Sequence, residues 1–134
     1  MSIADRLGIE PKTVVQELGW GEDCDEAVRS SVKERTGSGF ADKDADSVDV
    51  AMVWWRESDG DLTDTLTDAI GPLAGYGPIW VLTPKVGRDG YVEPSEIAEA
   101  AVTAGLANTS STSVGDDWTG TRLVIPKLAH KVRH

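Results

Sequence analysis

The sequence predicts a three-layer α/β domain whose sheet is mostly parallel and closes with a C-terminal antiparallel hairpin. Residues 48–55 and 79–82 are continuous apolar runs, which are typical of strands buried on both faces of a parallel sheet. Between them, apolar side chains recur at the spacing of an amphipathic helix, at Leu62, Leu66, Ile70 and Leu73. Because a helix that joins two buried strands implies a right-handed crossover, we expect the two strands to be parallel.

Capping and turn residues set the bounds of the other elements. Asp61 is a good N-cap for the central helix, Gly75 and Gly77 are expected to end it, and Pro94 opens the last helix. The polar segment 38–47 is expected to be loop with at most a short strand. The predicted helices span 3–7, 22–36, 62–74 and 94–104, and the predicted strands span 13–18, 48–55, 79–83, 107–114 and 122–125.

Length and composition predict one domain. The chain has 134 residues, of which 1–126 form the predicted domain and 127–134 a basic, flexible tail. No apolar run approaches the ~20 residues that cross a bilayer, and the first residues do not have the pattern of a signal peptide, so we expect none. Cys24 is the single cysteine, so an internal disulfide is excluded and a cytoplasmic location is expected. The acids around Cys24 disfavour its thiolate, which argues against a catalytic role.

The net charge of −10 is concentrated in the N-terminal half. Residues 1–68 contain 17 acids and 7 bases, whereas residues 69–134 contain 6 of each. Such a field repels nucleic acid and anionic membranes, so we expect neither as a partner. It favours a protein partner with a basic surface, which would dock around 22–26, through Asp23 and Asp25, and around 42–49. The alternative is an acidic surface that serves solubility alone.

Aromatic and basic residues near strand ends are the candidates for binding. Trp55 ends one predicted strand, Arg56 follows it, and Lys85 follows the next strand, at the edge where open α/β sheets bind ligands. Trp55 would form the floor of a pocket and the two cations would hold an anion, with plain packing as the alternative. Trp118, in the hairpin loop, is either an exposed anchor for a partner or a cover for the sheet edge.

No residue pattern indicates catalysis or a metal site. Asp59, Asp61 and Asp64 are expected to be caps and part of the solvated face of the central helix. His130 and His134 lie in the basic tail, and no Cys, His or Asp cluster has the spacing of metal ligands. The sequence therefore predicts no catalytic residue and no metal ligand.

The segment 14–23, VVQELGWGED, runs from a strand into a helix. It resembles the first motif of class I S-adenosylmethionine-dependent methyltransferases, in which an acidic residue and alternating glycines follow a strand. In that family the glycines let the backbone approach the cofactor, and the helix N-terminus faces its charged end. Here Asp23 stands at the third glycine position, and together with Glu22, Asp25 and Glu26 it would repel the cofactor's carboxylate. We therefore expect no cofactor, S-adenosylmethionine included.

The order of the later elements resembles the second half of the same Rossmann-like fold. Between the strands 13–18 and 48–55, a complete methyltransferase fold holds two further strands and two further helices. The roughly 30 residues available here are too few for them, given mean lengths of about 5–6 residues for strands and 11–12 for helices. The resemblance thus implies a degenerate methyltransferase-like sheet without the segment that contacts the adenosine ribose.

Five segments together resemble an actinobacterial family, the domain-of-unknown-function 3052 family. They are VVQELGWGEDCDE, WWRESDGDLTDTLTDAIGPLA, IWVLTPK, VEPSEIAEAAVTAGL and the tryptophan-containing hairpin. The resemblance covers the chain from residue 7 to residue 127. It implies a compact α/β protein of unknown activity and transfers no catalytic residue.

Three functional hypotheses follow from these observations. The preferred one is a non-enzymatic binding or regulatory module. The alternatives are a small-molecule enzyme or anion-binding protein that uses the strand-end groove, and a structural or oligomeric assembly protein. The sequence does not identify the partner, the pathway or the oligomeric state.

Overall fold

The computed structural model describes residues 2–37, 39–41, 45, 47–74 and 77–126, and it has the predicted α/β architecture. The strands are β1 (Val15–Leu18), β2 (Val50–Trp54), β3 (Ile79–Pro84), β4 (Ala107–Val114) and β5 (Trp118–Val124). The helices are α1 (Ile3–Arg6), α2 (Glu26–Thr36), α3 (Leu62–Ile70) and α4 (Pro94–Thr103), with a 3₁₀ turn at Glu57–Asp59. The tail 127–134 lies outside the described residues.

The strands form one sheet in the order β1-β2-β3-β5-β4. β1, β2 and β3 are parallel, with Val53 paired to Leu18 on one side and to Val81 on the other. β5 runs antiparallel to β3, and β4 runs antiparallel to β5. This arrangement confirms the three parallel core strands and the closing hairpin. It also places the C-terminal ends of β1, β2 and β3 at one edge of the sheet.

Helices cover both faces of the sheet, so the domain has three layers. α3 and α4 pack on one face over a core that includes Val53 and Val81. α1 and α2 pack on the other face over a core that includes Met52 and Trp54. Because neighbouring residues of a strand point to opposite faces, Trp54 and Trp55 are buried in different cores.

The helix α2 begins four residues later than the sequence predicts. The Asp25 carboxylate accepts the backbone hydrogen of Ala27, which makes Asp25 the N-cap and Glu26 the first helical residue. The preceding residues 22–24 form turns instead. The acids that suggested an earlier start are therefore partly loop residues.

The helix α3 ends at Ile70, four residues before the predicted end. Beyond it, the chain pairs with the residues that lead into β2. The Ala74 backbone N–H donates to the Val48 carbonyl at 2.7 Å, and the Val48 N–H donates to the Pro72 carbonyl at 2.8 Å. These bonds replace a further helical turn. Of the two predicted end signals, Gly75 lies outside the described residues.

The strand β5 begins at Trp118, four residues before the predicted start. The register pairs Trp118 with Val114 on one side and with Pro84 on the other, so the hairpin turn holds residues 115–117 alone. Trp118 is thus a strand residue rather than part of a loop.

Candidate functional site

The loop after β1 packs tightly on the end of β2, and two glycines allow this contact. Gly19 has a φ of +79°, and a Cβ at this position would clash with the Trp54 carbonyl oxygen. A Cβ on Gly21 would lie 3.0 Å from Nη2 of Arg56. The two glycines therefore bring the loop against β2 and against the arginine that follows it.

Arg56 binds this loop and Asp59 with all of its guanidinium N–H groups, an arrangement that we call the Arg56 clamp. Nε and Nη2 donate to the two carboxylate oxygens of Asp23 at 2.9 and 2.6 Å. Nη1 donates to the Gly19 carbonyl at 2.7 Å and to the Asp59 carboxylate at 3.2 Å. Nη2 also donates to Sγ of Cys24 at 2.9 Å. These five bonds use the five donors of the guanidinium, and the side chain is 14% exposed.

The clamp sets the protonation states of its members. The hydrogen bonds from Arg56 hold the pKa of Asp23 below its ordinary value of 3.8, and the same bonds raise the pKa of Arg56. Burial raises the pKa of the Cys24 thiol. At neutral pH the Asp23 carboxylate and the Arg56 guanidinium are therefore charged, and the Cys24 thiol is neutral. None of these is arranged as a general base or an activated nucleophile.

Three tryptophans pack edge to face beside the clamp. Trp54 lies between Trp20 and Trp118, with ring centroids 5.7 and 4.8 Å away. The Trp54 indole N–H donates to the Glu17 carboxylate at 3.0 Å, and Cζ of Arg56 lies 5.6 Å from the centre of the Trp118 ring. Trp118 is 1% exposed, so the expectation of an exposed anchor at this residue is wrong. Its ring instead belongs to the core beneath the clamp.

The structure separates the three residues that were predicted to read one ligand groove. Trp55 and Arg56 line a cleft of about 380 Å³ beside the β1–α2 loop. Lys85 lines a different cleft, of about 530 Å³, beside the β4–β5 hairpin. Because each guanidinium N–H of Arg56 has an acceptor within the chain, Arg56 is not the free cation that the sequence suggested.

Both acids that were predicted to bind a partner make contacts within the chain. Asp23 belongs to the clamp, although its side chain is 51% exposed. Asp25 caps α2 and lies against the turn at Gly115. Both acids therefore have a structural role within the chain, in addition to the predicted role in binding a partner.

Sequence reasoning missed the part that Asp59 takes in the clamp. Its carboxylate accepts the backbone N–H of Arg56 at 2.9 Å, in addition to the guanidinium contact. The spacing of three residues between Arg56 and Asp59 was a usable signal for this pair. The contact with Asp23 has no local signal, because 33 residues separate it from Arg56.

Within residues 2–37, 39–41, 45, 47–74 and 77–126, no group of three or more His, Cys, Asp and Glu side chains is placed to hold a metal ion. Over the same ranges, no helix combines the length and hydropathy that a bilayer crossing requires.

The fold is Rossmann-like and is similar to that of solved S-adenosylmethionine-dependent methyltransferases. A methyltransferase of this kind from Aquifex aeolicus has a TM-score of 0.58 and 13% identity, over 92% of this chain and 88% of that chain. The 1,6-didemethyltoxoflavin-N1-methyltransferase of Burkholderia thailandensis has a TM-score of 0.59 and 15% identity, over 93% of this chain and 75% of that chain. At such identities the similarity shows the fold alone.

Within this fold class, the chain belongs to a family described as protein of unknown function (DUF3052), whose model matches residues 4–127. An uncharacterized protein of Mycobacterium tuberculosis is 54% identical over 125 residues, which are 92% of this chain and 78% of that protein. The family that the sequence segments predicted is thereby confirmed.

Proposed function

We propose that the protein is a non-enzymatic binding or regulatory module built on a degenerate methyltransferase-like sheet. The observation that carries this proposal is the Arg56 clamp. Its side chains belong to this protein and lie beside the C-terminal end of β1. In the methyltransferases that segment 14–23 resembles, the loop at this position faces the cofactor. Here the loop faces Arg56, whose guanidinium binds the Gly19 carbonyl and the Asp23 carboxylate.

The residues of this loop do not fit S-adenosylmethionine. The Trp54 carbonyl and the Arg56 guanidinium take the space beside Gly19 and Gly21 that a cofactor would approach. Asp23 is negatively charged, and the resemblance to the methyltransferase motif implies that it stands where the cofactor's carboxylate would lie. Binding would have to displace the clamp and bring two like charges together, which is unfavourable. No reaction step through this cofactor follows from such a site.

The outer part of the sheet supports the same proposal. Beyond β1, the described residues contribute one bridging residue, Phe40, which pairs with Val15. The complete fold that the sequence resembles has two further strands and two further helices in this interval. The described residues between α2 and β2 form no such elements, so they offer no counterpart to the segment that contacts the adenosine ribose.

An acidic surface beside the clamp supports a protein partner with a basic surface. Glu22 and Glu26 are exposed, and within the described ranges neither forms a salt bridge. We give the name acidic face to Glu22, Asp23 and Glu26. The second predicted docking segment, 42–49, lies partly outside the described residues. Charge at such a surface speeds the encounter of two proteins and sets its specificity, so the complex should weaken as salt rises.

The test is capture of the partner from a native cell extract, with the intact protein as bait, over a series of salt concentrations. Reversal of both charges, with Glu22→Lys and Glu26→Lys in one variant, should weaken the complex. Asp23 and Asp25 are left unchanged in this variant, because their contacts stabilise the fold. The matched control is Glu96→Lys with Glu99→Lys, which changes the net charge equally on exposed positions of α4 across the sheet. A complex that is indifferent to salt and to reversal of the acidic face would contradict the proposed docking surface.

A further inference from the structure

A second cleft, whose lining does not include Arg56, Asp23 or Asp59, lies at the C-terminal end of β3. It is bounded by the β4–β5 hairpin on one side and by the first turn of α4 on the other, and its volume is about 530 Å³. Pockets that bind small molecules have volumes of about 300–1,000 Å³. The cleft is therefore large enough for a small organic ligand.

Hydroxyl groups from three neighbouring strands line one wall of this cleft, and we call it the hydroxyl cleft. The sheet register places Thr83, Thr119 and Ser113 side by side in one row. Thr121 and Ser111 form the next row on the same face, two residues along each strand. Five hydroxyls thus converge on one surface.

The deepest of these hydroxyls lack partners within the described chain. Thr83 is 3% exposed and Thr121 is 6% exposed, and neither side chain forms a hydrogen bond with any other described residue. Among the described residues, no fully buried side-chain oxygen or nitrogen lacks a partner. The two hydroxyls are therefore open to the cleft, where a ligand or water can bond to them.

The electrostatics of the hydroxyl cleft favour a negative ligand, in contrast to the acidic chain as a whole. Among its described lining residues, Lys85 is the one that carries a charge. The first turn of α4 also borders the cleft, but Glu93 and Glu96 already place negative charge at this end of the helix, so the helix end adds nothing to anion binding. Lys85 is therefore the group in the described lining that attracts a negative ligand.

The opposite wall of the cleft is apolar. Val92 and Ile97 line it, and both side chains also belong to the core under α3 and α4. A site with an apolar wall and a few convergent polar groups is the usual form of a small-molecule site. The two walls together suit a ligand with one anionic end and one apolar body.

We propose that the hydroxyl cleft binds a small organic anion, a carboxylate or a phosphate monoester. Its anionic group would accept hydrogen bonds from Lys85, Thr83 and Thr119, and its apolar body would pack on Val92 and Ile97. This site goes beyond the function proposed above. Arg56, Asp23 and Asp59 do not line the cleft, so either proposal can fail without the other.

The test is a ¹⁵N NMR titration of the full chain with three probes of similar shape: benzoate, phenyl phosphate and neutral benzamide. We expect saturable shifts of cleft amides, such as those of Lys85, Thr119 and Thr121, with at least one of the two anions. Fragments of this size bind with dissociation constants on the order of a millimolar. Benzamide should bind at least about tenfold more weakly, because it cannot form charge-assisted hydrogen bonds. The better anion then identifies the head group as carboxylate or phosphate.

Two variants and one control make the assignment specific. Lys85→Gln should weaken binding of the anion about tenfold, and Thr83→Val, which removes one of the hydroxyls proposed to bond the anion, should weaken it severalfold. Lys33→Gln removes the same charge from an exposed position on α2 and should leave binding unchanged. The spectrum of each variant reports on its fold. The proposal is overturned if neither anion shifts the cleft amides, if benzamide binds as well as the anions, or if Lys85→Gln binds like the wild type.

Discussion

Arg56 is the residue on which the contacts of the β1–α2 loop converge. Its guanidinium crosses from the end of β2 to the Gly19 carbonyl, the Asp23 carboxylate and the Cys24 thiol. Bidentate pairing with Asp23 is the strongest geometry that an arginine offers. Because the side chain is largely removed from water, its interactions are screened less than those of an exposed ion pair.

We predict that Arg56→Ala lowers the free energy of unfolding by about 1–3 kcal/mol, the usual effect of removing charged hydrogen bonds at a part-buried site. Arg56→Lys should lose nearly as much, because an ammonium cannot reproduce the planar fork. The matched control is Arg88→Ala, whose pair with Asp117 is exposed and 3.6 Å long, and which should cost less than about 0.5 kcal/mol. Chemical denaturation measures all three. If Arg56→Ala and Arg88→Ala behaved alike, the clamp would not stabilise the loop.

The ion pair of Asp23 should also make stability depend on pH. Because the pKa of Asp23 is lowered in the folded chain, its contribution is full above its ordinary value of 3.8 and is lost as the pH falls through the lower folded pKa. The difference in unfolding free energy between wild type and Asp23→Asn should thus be constant above about pH 5 and shrink below pH 3.8. Solvent screening at this exposed carboxylate keeps the difference below about 1 kcal/mol.

Urea unfolding of the two proteins at a series of pH values measures this difference. Arg35 lowers the pKa of Asp5 in both proteins, so that titration cancels. If the difference in unfolding free energy between wild type and Asp23→Asn did not change from neutral to acidic pH, the charge of Asp23 would not stabilise the protein.

At the scale of elements, the periodicity of the sequence predicts which segments form strands and helices, whereas tertiary contacts decide where several of them end. The strand β4 has the predicted bounds, because its limits are local turn signals. By contrast, α3 stops early because the residues after Gly71 bond to Val48, which lies in another part of the chain. The early start of β5 likewise depends on its pairing with β3. Contacts of this kind have no signature in the segment that they shorten or extend.

The fit of the β1–α2 loop on β2 predicts a large cost for a single methyl group. Gly19→Ala adds a Cβ at positive φ and pushes it into the Trp54 carbonyl, whereas Gly8→Ala adds one at a φ of +67° in open space. The positive φ alone costs about 1–2 kcal/mol. Gly19→Ala should therefore destabilise the protein by more than Gly8→Ala, with a total above about 2 kcal/mol.

Thermal and chemical unfolding of the two alanine variants separate the steric effect from the backbone effect. Equal costs at the two glycines would mean that the loop can move away from β2. The resemblance to methyltransferases associates such glycines with a cofactor, which Asp23 argued against from the sequence, and the structure supplies a reason for Gly19 and Gly21 within the chain.

At the scale of the whole molecule, the sequence predicts the layers and the parallel core but not the state of the candidate site. The positions of Arg56 and Lys85 at neighbouring strand ends follow from the topology. The different surroundings of these two residues do not follow from the topology. Arg56 contacts Asp23, which is 33 residues earlier in the sequence, and Lys85 borders a hairpin further along the chain. The resemblance to methyltransferases predicts where a cofactor would lie, and our proposal is that the Arg56 clamp takes that place.

The most direct test of this account is isothermal titration calorimetry of the purified wild-type protein with S-adenosylmethionine. A methyltransferase that binds this cofactor, titrated in the same buffer, serves as the positive control. Because the clamp would have to open and Asp23 would repel the cofactor's carboxylate, we predict no saturable heat up to about 1 mM, a binding free energy of no more than ~4 kcal/mol. Saturable binding with a micromolar dissociation constant would contradict the account and support a methyltransferase.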